Sequence, residues 1–176
     1  MRALVVYESM YGNTRAVAEA IADTLAARYE VAVAPVAEAP EAPNADLLVV
    51  GGPTHMHGLT TSMTRHMAVK AAQEDDHHLE PAAGDEHGLR QWLRALPERG
   101  GARAAAFDTR GDANAALTGS ASRGITRRLR RRGYDVVASE SYLVDDAEGP
   151  LQDGELDRAR AWAAGLAESR HPAAAT

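Results

Sequence analysis

The segment Glu8-Ser9-Met10-Tyr11-Gly12-Asn13-Thr14 holds the residue types best suited to chemistry, and that chemistry is anion binding. It follows a short apolar run, residues 3–7, and leads into helical periodicity beginning near Arg15. The first backbone N–H groups of a helix have no intrahelical acceptor and carry the positive end of its dipole. Hydroxyls at Ser9 and Thr14 add donors, and Gly12 allows the backbone to come close to a phosphate. Junctions rich in Ser, Gly, Asn and Thr also serve as plain helix caps, so the loop alone leaves both readings open. Two other phosphate loops are excluded. The nucleoside-triphosphate pattern requires Gly-Lys-Ser/Thr, and the chain's only lysine, Lys70, lies far away. The dinucleotide pattern requires three spaced glycines where this loop has one.

A loop of this kind needs a strand before it and a helix after it. Apolar runs at residues 3–7, 30–34, 47–50, 102–107 and 135–144 alternate with helical periodicity, the pattern of an α/β fold with a parallel sheet. The first, third and fourth runs are nearly continuous in apolar character, as expected of strands covered on both faces. Val17, Ile21 and Leu25 mark the buried side of a first helix. Leu89, Trp92, Leu93 and Leu96 form a second stripe, ended by Gly100-Gly101, and both Trp92 and Trp162 lie on apolar stripes as packing residues. Ala121, Ile125 and Leu129 form a third stripe, with Gly133 as terminator, and Leu156, Ala159, Ala163 and Leu166 form the last, with Asp153 as its cap. The link at residues 35–45 holds three prolines and leaves room for one helical turn, so a helix there is truncated or missing. Residues 73–87 are polar and read as a mobile surface insertion.

Length and composition set outer limits. A chain of 176 residues suits one domain with a full core, and the absence of cysteine excludes disulfides, thiolate metal sites and cysteine nucleophiles. No apolar run is long enough to cross a bilayer, and the N-terminal run is too short for a signal peptide, which points to a cytoplasmic protein. A net charge of −6 argues against nonspecific nucleic-acid binding as the main activity.

Three loops leave the carboxyl ends of the first, third and fourth strands, where open α/β sheets bind ligands. The first resembles the phosphate loop of flavodoxins, Thr/Ser-x-Thr-Gly-x-Thr. The second, Gly51-Gly52-Pro53-Thr54-His55-Met56-His57-Gly58, is similar to the family's Gly-x-Pro-Thr followed by a glycine-bearing loop. The third, Phe107-Asp108-Thr109-Arg110-Gly111, stands where the family places its other ring-contacting loop. The resemblance spans residues 2–166. It implies a flavodoxin-like, doubly wound, five-stranded parallel sheet of order 2-1-3-4-5 with a truncated second helix. It further implies a single domain at 1–170, with the insertion at 74–87 and a flexible tail at 171–176.

The cofactor so implied is flavin mononucleotide, FMN. Carried over by position, Ser9, Tyr11, Gly12, Asn13 and Thr14 hold its phosphate, with Met10 contributing its backbone N–H. Pro53, Thr54, His55, Met56, His57 and Gly58 border one side of the isoalloxazine ring, and Asp108, Thr109, Arg110 and Gly111 the other. Gly58 matches a family glycine beside flavin N5, where a flipped peptide offers its carbonyl to the one-electron-reduced ring; it also reads as a simple turn end. Flavodoxins usually sandwich the ring between Trp and Tyr. This chain offers His55, Met56 and His57 on one side and no aromatic on the other, a difference of about 0.5–1.5 kcal/mol for each missing ring pair. Arg110 turned inward favours the anionic reduced ring and a higher potential, where low-potential flavodoxins place carboxylates; turned outward it is a surface arginine.

Other chemistries fit less well. His55 and His57 have no carboxylate close in sequence to complete a metal set, and with His77 and His78 they read as surface histidines. A phosphorelay receiver requires an Asp ending the third strand, where Gly51-Gly52-Pro53 stands, and no Ser–His–acid set lies on matching strand ends. Arg127, Arg128, Arg130, Arg131 and Arg132 read as a solvated helix face or as a docking patch for an acidic partner. Two functions remain. One is an FMN-dependent electron carrier or small flavin oxidoreductase, fed by a redox partner protein or a reduced nicotinamide. The other is a flavodoxin-like module without cofactor that serves as a binding or regulatory domain.

Overall fold

In the computed structural model, which describes residues 1–55, 58–60, 88–112, 119–145 and 149–169, the opening apolar run becomes β1 (Arg2–Tyr7) at the heart of the sheet. Successive strand side chains point to opposite faces. Ala3 and Val5 of β1, Leu47 and Val49 of β3 (Leu47–His55), and Ala105 and Phe107 of β5 (Arg103–Gly111) therefore share one core. Helices α1 (Asn13–Leu25) and α4 (Glu155–Glu168) close that core through Val17, Ile21, Leu25, Ala159, Ala163 and Leu166. The alternate residues, Leu4, Val6, Leu48, Val50, Ala104 and Ala106, pack beneath α2 (Leu89–Ala95) and α3 (Ala121–Arg131). Burying each large aliphatic side chain contributes about 1.5–3 kcal/mol, so the two-sided pattern fixes both register and layer order.

The hydrogen-bonded order is β2-β1-β3-β5-β6, with β2 (Glu30–Pro35) and β6 (Asp135–Val144) at the edges and all four pairings parallel. The two-residue β4 (Gly58–Leu59) pairs antiparallel with the end of β3 and stands off this path. Setting β4 aside, the five long strands follow the order 2-1-3-4-5. One 3-10 turn, Val36–Glu38, is all the helix that the proline-rich link carries. The insertion at 74–87 and the tail at 171–176 lie outside the described residues.

Three boundaries differ from the sequence reading, each for a local reason. Strand β3 runs on through Gly51-Gly52-Pro53 to His55, because β5 also continues and pairs Gly52 with Asp108 and Pro53 with Thr109. Its other neighbour, β1, ends at the Tyr7–Gly51 pair, so the N–H that Pro53 lacks falls on an open edge. Helix α2 stops at Ala95, well before Gly100, because Leu96 precedes Pro97 and adopts the extended ψ of 133° that proline imposes. Asp153 does not cap α4: Gly154 occupies the cap with φ 83°, and no side chain bonds there. Gly133, with φ 80°, follows the cap of α3 as expected of a terminating glycine.

Candidate anion and cofactor crevice

Between β1 and α1 the chain turns through Gly12, whose φ of 92° is a left-handed value that costs other residues strain. Ser9 Oγ sits inside this turn and accepts hydrogen bonds from the N–H of Gly12 (3.2 Å) and of Arg15 (3.4 Å). Gly12, at the cap position, offers α1 no side chain, and the first turn contains no acidic residue. Among the described residues, nothing accepts from the backbone N–H groups of Asn13 and Thr14. Among the described residues, the positive end of the α1 dipole is therefore met by no carboxylate and keeps two open N–H groups.

The loop is tied to its neighbours by side chains. The hydroxyls of Thr14 and Thr109 share a buried hydrogen bond of 2.8 Å, which joins α1 to the end of β5. Asn13 Nδ2 donates to the carbonyl of Gly149 at 2.6 Å, drawing in the segment beyond β6. Ser9, Met10, Tyr11, Asn13, Thr14, Pro53, Thr54, Thr109, Arg110 and Gly111, together with Val144, line a crevice of about 170 Å³ over these strand ends. Met10 is fully buried, while Tyr11 and Arg110 are half-buried.

The remaining expected residues stand differently. Gly12 shapes the turn without lining the crevice. Gly58 of β4 pairs with His55 of β3, in a conformation where an added Cβ meets nothing within 4 Å among the described residues. Met56, His57 and the side chain of His55 lie outside the described residues. Asp108 is turned away from the crevice, since it alternates with Phe107 and Thr109 along β5 and so faces the α3 side. Its fully buried Oδ2 accepts from Thr54 Oγ1 (3.0 Å), Ser120 Oγ (2.8 Å) and Ser122 N–H (2.8 Å). Thr54 Oγ1 in turn accepts from Ala121 N–H at 2.8 Å. Asp108 thus holds Thr54, a crevice residue, against the start of α3.

Sequence reasoning missed a second buried carboxylate. Glu8 Oε2 accepts from Leu89 N–H at 2.9 Å and so caps α2 from 81 residues away. The available signal was a charged residue ending an otherwise apolar strand. Gly52 opposite it has no spare room, because an added Cβ would come within 2.8 Å of Leu89 Cδ2.

Away from the crevice, α2 and α3 share a cationic face. Arg128 is held below the ordinary arginine value, first by burial and then by Arg90, Arg127, Arg94 and Arg131. Residues 88–134 contain eleven arginines against three carboxylates, in a chain whose net charge is −6.

A family model described as Flavodoxin matches residues 5–162. No curated protein matches the sequence. Solved structures of similar fold include a flavodoxin from the domain Archaea, 20% identical with a TM-score of 0.61, covering 96% of this chain and 97% of that one. A flavodoxin from Streptococcus pneumonia TIGR4 is 16% identical with a TM-score of 0.62, covering 95% and 98%. Flavodoxin 2 from Bacillus cereus is 21% identical with a TM-score of 0.59, covering 96% and 99%. At these identities the likeness is one of fold.

Proposed function

Because the chain belongs to the flavodoxin family, whose members bind FMN, we propose that it is an FMN-dependent electron carrier or small flavin oxidoreductase that seats the cofactor phosphate at the uncovered start of α1. That uncovered helix start is the observation that carries the reading. The N–H groups of Asn13 and Thr14 and the hydroxyls of Ser9 and Thr14 form a donor set without a carboxylate, which suits a phosphate dianion. At about 170 Å³ the crevice is smaller than the ~300–1,000 Å³ of whole-ligand sites, so it fits the phosphate end and adjoining chain.

When bound, FMN supplies reversible transfer of one or two electrons. The protein positions the ring and tunes its potential. Pro53, Thr54 and Gly58 would border one side of the ring, with the loop at His55, Met56 and His57, and Thr109, Arg110 and Gly111 the other, while Asp108 would act through Thr54. The guanidinium of Arg110, a crevice-lining residue, favours the anionic reduced form and so raises the potential. Electrons arrive from a redox partner protein or a reduced nicotinamide. Arg127, Arg128, Arg130, Arg131 and Arg132 offer an acidic partner a docking face in the cytoplasm. No described helix is long and apolar enough to cross a membrane.

Titration of FMN into cofactor-free protein, read by flavin fluorescence, tests the proposal. Saturable quenching is expected. Fluorescence that stays unquenched at hundreds of micromolar protein overturns it and leaves the flavodoxin-like module without cofactor.

A further inference from the structure

At the opposite end of the sheet, Arg103 opens β5 with its side chain 8% exposed. Its guanidinium donates to Tyr29 Oη (3.3 Å), to the carbonyl of Leu166 (3.2 Å) and to Ser169 Oγ (2.7 Å). All three acceptors are neutral. Among the described residues, no carboxylate forms an ion pair with Arg103. Buried guanidinium groups are ordinarily paired with an anion, because removing the charge from water is costly otherwise. A guanidinium also carries five N–H donors, more than these three acceptors use.

The space beside this charge is a cavity of about 600 Å³, within the ~300–1,000 Å³ typical of small-molecule sites. The exposed Arg28 adds a second cation to its rim, and Ala167 contributes apolar wall. The one carboxylate among the lining residues, Asp46, is engaged elsewhere, since its Oδ2 accepts from Arg2 N–H at 2.6 Å. We propose that this cavity binds a small organic oxyanion, a carboxylate or phosphate ester on a short apolar body, with Arg103 as its buried anchor and Arg28 as its rim charge. The fork of donors on Arg103 matches either oxyanion, and the bound anion supplies the countercharge that the described residues do not provide there.

The test uses the full chain with FMN added, so that the upper crevice is filled, and follows the amide N–H resonances of Gly101, Ala102 and Ser169. Benzoate and phenyl phosphate serve as the two anionic probes and benzyl alcohol as the neutral one. A saturable shift of those amides is expected from at least one anion and none from the alcohol; the responding anion identifies the ligand class. Arg28→Glu, an exposed change that leaves folding intact, should weaken that binding about tenfold. Arg103→Met should abolish it, and where that variant fails to fold, Arg28→Glu decides. The proposal is overturned if neither anion shifts the amides up to about 10 mM, a ceiling that allows for a millimolar Kd. It is equally overturned if the alcohol shifts them as strongly, or if Arg28→Glu or folded Arg103→Met binds like the parent.

Discussion

Replacing Thr14 and Thr109 by valine, singly and together, separates crevice architecture from phosphate binding. Valine keeps the shape of threonine and removes only the hydroxyl. Both side chains are buried, at 2% and 5% exposure, and their mutual hydrogen bond is 2.8 Å long. Thr14→Val leaves the Thr109 hydroxyl buried without a partner, which should cost the cofactor-free protein about 1–3 kcal/mol. Thr109→Val should cost a similar amount. The double variant strands neither group, so its stability should return to within ~1 kcal/mol of the parent, giving a favourable coupling of at least about 1 kcal/mol. FMN affinity should behave otherwise. If the Thr14 hydroxyl also donates to phosphate, a charge-assisted bond of about 1.5–3 kcal/mol disappears in Thr14→Val and in the double variant alike, lowering affinity roughly tenfold to a hundredfold. Urea unfolding of the cofactor-free proteins and FMN fluorescence titration supply the two readouts. If affinity recovers in the double variant along with stability, the hydroxyl only shapes the crevice and its assignment to phosphate is refuted.

Four further outcomes follow from the described geometry. Tyr142 is fully buried with no partner for its hydroxyl among the described residues, and burial, reinforced by Glu140, pushes its pKa well above the usual tyrosine value. Tyr142→Phe should therefore stabilise the protein by about 1 kcal/mol while keeping the edge contacts to Phe107 and Trp162; a loss of that size in urea unfolding would refute the assignment. The raised pKa favours the neutral phenol in the folded state, so its contribution is intact below pH ~10 and declines above it as the unfolded chain ionises. Tyr142→Phe should correspondingly lose less stability between pH 10 and 11. Gly51→Ala would place a Cβ 2.0 Å from Phe107 Cζ and should cost about 3 kcal/mol, with partial rescue by Phe107→Leu in the same melts. Arg110→Gln should lower the one-electron potential that forms the anionic reduced ring by about 30 mV, taking a charge roughly 8 Å away at an effective dielectric constant near 60; an unchanged potential in a dye-coupled titration would place the guanidinium outside the reach of the ring. Reduction of or by an acidic partner should slow as salt is raised, and Arg127→Gln with Arg131→Gln should flatten that dependence.

The layers of this fold were legible because burial repeats with strict period. Leu4 and Val6 face one way and Ala3 and Val5 the other, so a continuous apolar run could be read as a strand covered twice. Helix α1 was legible for the same reason in its own period, through Val17, Ile21 and Leu25. Element ends were harder, because they depend on partners. Gly51-Gly52-Pro53 reads locally as the end of a strand, yet remains paired because β5 runs alongside it. Asp153 reads locally as a cap, yet the chain enters α4 through a left-handed Gly154 that needs none. The crevice shows the same division. Ser9, Thr14, Thr54 and Thr109 could be placed at strand ends by type and spacing and do line one crevice, whereas the Asn13 contact to Gly149 joins residues 136 apart and has no local signature.

Glu8 and Asp108 show why the uncovered helix start is specific. Helices α1, α2, α3 and α4 each present a positive terminus. In three of them the chain answers with its own acids: Glu8 on Leu89 N–H of α2, Asp108 on Ser122 N–H of α3, and Glu155 and Asp157 in the first turn of α4. Two of these carboxylates are recruited from strand ends, where sequence alone shows only a charged residue beside an apolar run. Among the described residues, the first turn of α1 receives no such carboxylate, and the hydroxyl of Ser9 satisfies Gly12 and Arg15 while leaving Asn13 and Thr14 open. Internal carboxylates thus reduce competition among the helix termini for an external anion and leave α1 as the favoured seat. Placing a carboxylate there should close it: Ser9→Asp puts a fixed negative charge beside the same N–H groups. A nearby helix-terminal charge contributes about 0.3–1 kcal/mol to stability, so the cofactor-free protein should gain that amount in urea unfolding while FMN affinity falls at least tenfold through repulsion of the phosphate. Affinity within twofold of the parent would show that the phosphate does not sit at α1.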